Sequence, residues 1–285
     1  MPFNHQAVAG WPFPAVSQTL TEKDCLFYAL SVGMGRDPLD EKELPFVFER
    51  HLRVMPTMAA VICTPGHWVA DPRTGIDQTR IFHGEQSIEF HASVPVGVRL
   101  TGQSRVSRLI DKGAGKGALV VIECPVHDDT GRKLWTVRRS AFLAGEGGFG
   151  GANGAPLVDA VIPERAPDHV CDLPTTGQQA LLYRLNDDMF DFHADPAVAR
   201  KSGFHQPILH GLCTYAIAGH ALLKTVCGYE ETRIGSLGVR FSSPVFPGET
   251  IRTEMWLDGS AGVNFRCRVV ERDVIVIGSG RLDFK

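Results

Sequence analysis

No stretch of this chain approaches the roughly 18 apolar residues a membrane helix needs, so the sequence offers no transmembrane segment. Neither sign of charge is in excess. Lys and Arg number 29 against 32 Asp and Glu, a formal net charge of -3, which excludes a basic nucleic-acid face and a polybasic membrane patch. Paired cysteines are missing as well: the seven (25, 63, 124, 171, 213, 227, 267) are odd in number, widely spaced and without a CxxC. That pattern argues against a disulfide framework and a zinc knuckle, and a reducing cytoplasm is the simplest home. The opening "MPFNHQAVAGWPFPAV" lacks a basic leader, and the closing "GRLDFK" is not a peroxisomal address. What remains is a chain of 285 residues, able to bury a real core as one large domain or two ordinary ones, with small-molecule chemistry open to it.

Residues 145–169, "GEGGFGGANGAPLVDAVIPERAPDH", have the Gly and Pro content of a linker and split the chain nearly in half. The expected units are 1–150, a linker over 151–169, and 170–285. The first opens with a helix in "TEKDCLFYALSVG", where Thr21 and Asp24 form a capping pattern and Gly33 marks the end. Strand-like stretches follow in "QSIEFHASV", "VRLTGQSRVSRLI", "ALVVIECPV" and "KLWTVRRSAFLA". The second half repeats that order, with a helix from about Pro207 to Val226 and strands in "LGVRFSSPV", "ETIRTEMWLD", "VNFRCRVVE" and "VIVIGSGRLDF". A faint echo accompanies it, since Phe90, Gly97 and Leu100 are spaced like Phe241, Gly248 and Ile251. Hairpin-like strands after one long helix predict an α+β fold with an antiparallel sheet wrapped on a helix.

Several motifs fail on context. "GEGGFG" matches GxGxxG at Gly145, Gly147 and Gly150, but Asn153, Gly154 and Pro156 stand where a dinucleotide site needs a helix to open. "HAD" at 193–195 offers two ligands of a facial triad, with His205, His210 or His220 as a third, yet these lie on or just before one helix rather than on a distant strand. Calcium is excluded by the missing sixth-position Gly in "DDMFDF". Cys213 on an apolar helix reads as packing.

"DDMFDFHADP" is the unusual segment, with four carboxylates around one histidine and two phenylalanines between them. An acid and a histidine five residues apart, followed by the small-residue helix start at "PILHGL", can set acid–base groups beside a helix dipole that stabilises negative charge. Taken alone, Gly211 fits either a ligand approach or a tight helix–sheet contact.

The run "NDDMFDFHADPAVARKSGFHQPILHGLCTYA" resembles the signature of the MaoC-like, (R)-specific 2-enoyl-CoA hydratases, or hydratase 2 family, as do "VRFSSPVFPGETIRTEMW", "HGEQ", "DKGAGKG" and "GEGGFGG". The resemblance spans most of the chain. It implies a double hot-dog fold, two repeats of a helix wrapped by antiparallel sheet, with catalysis in the second half and room for the acyl chain in the first. It assigns Asp188 and His193 as the catalytic pair and Gly211 as the N–H donor to the thioester oxygen. His83, Gly84, Lys112 and Arg240 match positions that contact the CoA ligand. The reaction implied is hydration of trans-2-enoyl-CoA to (3R)-3-hydroxyacyl-CoA, or its reverse, with no cofactor, no metal, an acyl-CoA substrate and a homodimer as the assembly.

This chain departs from the family pattern at three places. Asp187 replaces the family Gly, Phe190 its Asn and Asp191 its Pro. Phe190 is expected to reshape the acyl pocket, and the rate is expected to titrate near neutrality through His193. A thioesterase on the same scaffold and a non-catalytic acyl-CoA binder remain as rivals at this point.

Overall fold

The computed structural model describes residues 2–150 and 154–285, so Asn153 of the Gly-rich stretch lies outside the described residues. Eleven strands make up its sheet: β1 (Ala15–Thr19), β2 (Ile81–Phe90), β3 (Arg99–Gln103), β4 (Arg105–Asp111), β5 (Ala118–His127), β6 (Lys133–Leu143), β7 (His169–Pro174), β8 (Ile234–Phe241), β9 (Thr250–Asp258), β10 (Gly262–Val269) and β11 (Val274–Phe284). Their order is β1-β3-β5-β6-β2-β8-β11-β10-β9-β7, with β4 paired to β5. Every pairing is antiparallel. The α-helices are α1 (His5–Ala9), α2 (Glu22–Ser31), α3 (Leu44–Val47), α4 (Gln179–Tyr183), α5 (Pro196–Lys201) and α6 (Gly211–Thr225). No described helix is long and apolar enough to cross a membrane.

Helix α6 is apolar on all sides and buried from Leu212 to Leu223, as a helix enclosed by sheet must be. It begins later than the expected Pro207. The segment before it runs extended, the Leu209 N–H donating to the Val245 carbonyl at 2.8 Å, so the backbone turns helical only after His210. At α2 the expected capping box is present: Thr21 Oγ accepts the Asp24 N–H and the Asp24 carboxylate accepts the Thr21 N–H.

All the strands expected from the sequence form, and β1 and β7 join them as strands the sequence did not announce. These two reveal the true repeat. β1 leads into α2 as β7 leads into α4, and Thr21, Leu26, Tyr28 and Leu30 recur at one constant interval as Thr176, Leu181, Tyr183 and Leu185. The two tyrosine rings meet with centroids 6.1 Å apart. The counterpart of α2 is therefore α4 rather than α6, which corrects the expected helix-for-helix match. In the chain position of α6, just before β2, the first half has 3-10 turns, the first at Pro56–Val61. That turn packs so closely on α6 that a Cβ at Gly219 would come within 2.5 Å of Thr57.

The sequence echo is also structural. Phe90 and Phe241 close β2 and β8, Gly97 and Gly248 take positive φ (75° and 98°) in the turns after them, and Leu100 and Ile251 are fully buried.

The halves join where β2 pairs with β8, Glu85 standing opposite Arg240 and Ile88 opposite Leu237. The buried Glu85 carboxylate accepts from Ser140 Oγ (3.2 Å), the Leu157 N–H (3.1 Å) and the Arg240 guanidinium (3.3 Å). The Gly- and Pro-rich segment after residue 153 runs over this seam, with Ser279 Oγ donating to the Ala160 carbonyl at 2.9 Å. No helix opens in it, as the dinucleotide motif would require.

Candidate active site

The loop after α4 carries Asp188. Just before it Asp187 sits at φ 71°, in the left-handed region where the related pattern has Gly; Asp is among the few other residues that enter this region readily. The chain then makes a 3-10 turn over Asp191–His193, and Asp195 caps α5 by accepting the Ala197 N–H at 2.7 Å. His193 is thereby aimed back at α6. Its Nδ1–H donates to the Ile208 carbonyl at 2.8 Å, which leaves the Nε2 lone pair free. His210, the residue before α6, lies flat against it with centroids 3.6 Å apart, and donates from Nε2 to the backbone carbonyl of Asp188 at 3.1 Å. One histidine is held in its tautomer and the other pins the acidic loop to the helix start.

Gly211 is the first residue of α6, and no side chain caps that helix. Its first-turn N–H groups carry the positive end of the helix dipole. A Cβ at Gly211 would first meet the Phe241 ring, at 3.5 Å, an ordinary contact. The tight helix–sheet alternative is thus removed, and the glycine leaves space on the cavity side.

Every residue expected from the sequence lines one cavity of about 980 Å³ between the halves: Asp188, Phe190, His193, Gly211 and Arg240 from the second, His83, Gly84 and Lys112 from the first. Gly84 is needed at the β2 bulge, where a Cβ would come within 2.9 Å of Ser140 Oγ. His83 donates from Nε2 to the Glu85 carbonyl at 3.2 Å. Lys112 is exposed, while Arg240 is already engaged by Glu85 and by the Val158 carbonyl at 2.9 Å. Phe190 packs tilted against His67 of the first half (centroids 4.0 Å) and Phe192 against His193 (4.1 Å), so an aromatic row walls the pair.

Desolvation sets the charges here. Asp188 is pushed up to about 6 by burial, against the opposing pull of Arg139 and the Phe190 N–H. His193 is pushed down to about 4 and His83 to about 4, again chiefly by burial. At neutral pH the site therefore holds a carboxylate and neutral imidazoles. Of the pair it is Asp188, at about 6, that lies nearer neutrality than His193, at about 4, so the expected titration moves to the acid.

Asp188, His193 and His210 bring possible ligand atoms within 4.8 Å of one another. Imidazole lone pairs lie in the ring plane, and two rings inclined by only 23° at 3.6 Å send theirs side by side rather than to one point. The set suits a held water better than a metal.

Two residues escaped the sequence reading of the site. His210 was seen only as a possible metal ligand. Arg139 gave one signal: two consecutive strand residues face opposite ways, and Arg138 pairs outward with Glu123 (2.7 Å) and Glu89 (3.2 Å), which sends Arg139 inward to line the cavity.

An acid and a histidine at the uncapped start of a buried helix, inside a two-repeat sheet, define a double hot-dog protein of the dehydratase type. Residues 159–279 match the MaoC like domain and residues 18–145 the MFE-2 hydratase 2 N-terminal domain; the chain belongs to this MaoC-like, hydratase 2 family. It is 37% identical over 274 residues to the 3-hydroxyacyl-thioester dehydratase Y of Mycobacterium tuberculosis, covering 93% of this chain and 92% of that protein. It is 35% identical to the peroxisomal enoyl-CoA hydratase 2 of Arabidopsis thaliana, covering 99% and 96%. Among solved structures, a MaoC-like dehydratase from Phytophthora capsici superposes with a TM-score of 0.87 at 32% identity, covering 99% and 98%.

Proposed function

We propose that this protein catalyses (R)-specific hydration of trans-2-enoyl-CoA to (3R)-3-hydroxyacyl-CoA, and the reverse dehydration, with Asp188 and His193 as the acid–base pair. The observation that carries this reading is the meeting of Asp188, His193 and the uncapped helix start at Gly211 in one cavity. The Gly211 N–H donates to the thioester oxygen, and the α6 dipole stabilises the enolate-like charge that develops there. One water sits between the Asp188 carboxylate and His193 Nε2. Its hydroxyl bonds to Cβ, and its remaining proton reaches Cα through the pair, so the double bond is consumed and no other reactant is required. The aromatic row of Phe190 and Phe192 keeps bulk water out, which strengthens each of these interactions.

The first half, residues 1–150, supplies the acyl and carrier space, and residues 170–285 the chemistry. Lys112 at the surface and His83 inside are placed to meet the CoA portion, Lys112 as a cation for phosphate and His83 as a neutral hydrogen-bonding group. A homodimer and cytoplasmic residence complete the reading; light scattering and fractionation test them.

The deciding experiment follows the loss of enoyl-thioester absorbance with the wild type and with Asp188→Asn, with chiral analysis of the product. Formation of the (R)-3-hydroxyacyl thioester, lost by about 10²- to 10⁴-fold in the variant, supports the assignment. Release of free thiol would make the protein a thioesterase. Binding without turnover would make it a non-catalytic acyl-CoA binder.

A further inference from the structure

Arg139 stands in the cavity without an obvious task. It extends inward from β6, and among the described residues it forms no ion pair; its guanidinium makes one long contact, to the Ala60 carbonyl at 3.4 Å. A guanidinium carries five donors, and on this half-buried side chain most of them have no protein partner among the described residues. The other cations of the cavity are accounted for: Arg240 is taken by Glu85, and Lys112 lies at the exposed rim. Asp188 is close enough to be felt electrostatically but makes no ion pair with Arg139, and its carboxylate is engaged by the Phe190 N–H. Burial also pulls Arg139 below its ordinary value, the response of a cation awaiting a counter-charge. The first-half wall mixes apolar residues, among them Ile110, Leu119, Val121 and Ile122, with polar ones such as Ser140 and Glu85, whose carboxylate is already engaged.

We propose that Arg139 receives a carboxylate carried on the acyl chain, so that the preferred substrate is an enoyl thioester whose chain bears an acid group. The inference rests on the acyl-CoA reading given above and names the substrate class within it. Planar carboxylate matches the planar guanidinium in a two-point hydrogen bond, and among the described residues no side chain is ion-paired with it. The phosphates of the carrier have the exposed Lys112 at the rim available to them.

The test compares binding of saturated CoA thioesters of dicarboxylic acids with those of monocarboxylic acids of equal length, by titration calorimetry, in wild type, Arg139→Leu and Arg139→Lys. A charged hydrogen-bonded pair in such a site is expected to favour the dicarboxylic thioester by about 10- to 100-fold in wild type. Arg139→Leu should erase that ratio and Arg139→Lys should keep part of it. Equal affinities in wild type, or a preference that survives in Arg139→Leu, overturn the proposal. So does an Arg139→Leu protein in which all thioesters are affected alike and the acid limb of turnover moves upward, since Arg139 would then act by positioning charge for Asp188. Saturated thioesters cannot be hydrated, so the ratio is read independently of turnover. Hydration without a carboxylate preference sinks this inference alone, binding with preference but no hydration sinks the reaction, and failure of every thioester to bind sinks both.

Discussion

The two halves share a sheet and differ in what precedes it. In the second, the chain from α4 to β8 holds Asp188, His193 and the long helix α6; at the same interval from α2 the first half has Gly33 where Asp188 falls and Pro38 where His193 falls. In the α6 position it has only 3-10 turns. A short turn has no developed dipole, and neither Gly nor Pro moves a proton. The comparison teaches that the strands and their turns carry the repeat, while the proposed acid–base pair lies in the loop after α4 and beside the helix start. The first half gives up that machinery and contributes Ile110, Leu119, Val121, Ile122 and Arg139 to the shared cavity.

That contrast can be broken most sharply at His193. His193→Gln is expected to lower hydration by about 10²- to 10⁴-fold with the fold intact, and a variant that keeps most of its rate would remove the second half's claim to the chemistry. Next comes the helix start. Proline is tolerated at the first helical position but has no N–H, and His210 already has the extended backbone (φ -59°, ψ 138°) that a residue before proline requires. Gly211→Pro should therefore lower kcat by about 10²- to 10³-fold without loss of thermal stability; an unchanged kcat would show that another donor meets the thioester oxygen.

A smaller effect is read from pH. With Asp188 at about 6 and His193 at about 4, hydration should fall as the pH drops through about 6, because the carboxylate becomes protonated, and should stay level above it while His193 remains neutral. A limb at about 4 would transfer the titration to His193. The smallest expected change is one of selectivity. Phe190→Asn removes the ring that bridges to His67 and should broaden activity on straight-chain enoyl thioesters; an unchanged chain-length profile would separate Phe190 from the acyl pocket.

Much of the fold was legible because its signals are local. The capping box at Thr21 and Asp24, the apolar run of α6 and the alternating strands each depend on near neighbours. The correspondence of α2 with α4 was not, because β1 and β7 are short edge strands with partly exposed residues and little patterning. Without them, the longest helical patterns in each half invite the wrong match. For the site, Asp188, His193 and Gly211 lie within one short stretch, so their types and spacing were readable. His210 and Arg139 were not, since the role of each depends on what faces it: a stacked imidazole and a backbone carbonyl for one, an unpaired position inside a cavity for the other.

The sequence by itself determined the two-part α+β plan, the acidic segment with its histidine, and the glycine at a helix start, all through short-range periodicity and residue chemistry. Only the tertiary structure decided which groups carry charge and which stay neutral. Desolvation raises Asp188 and lowers His193, and it depends on how completely α6, the aromatic row and the first-half sheet exclude water, a property of no residue taken alone.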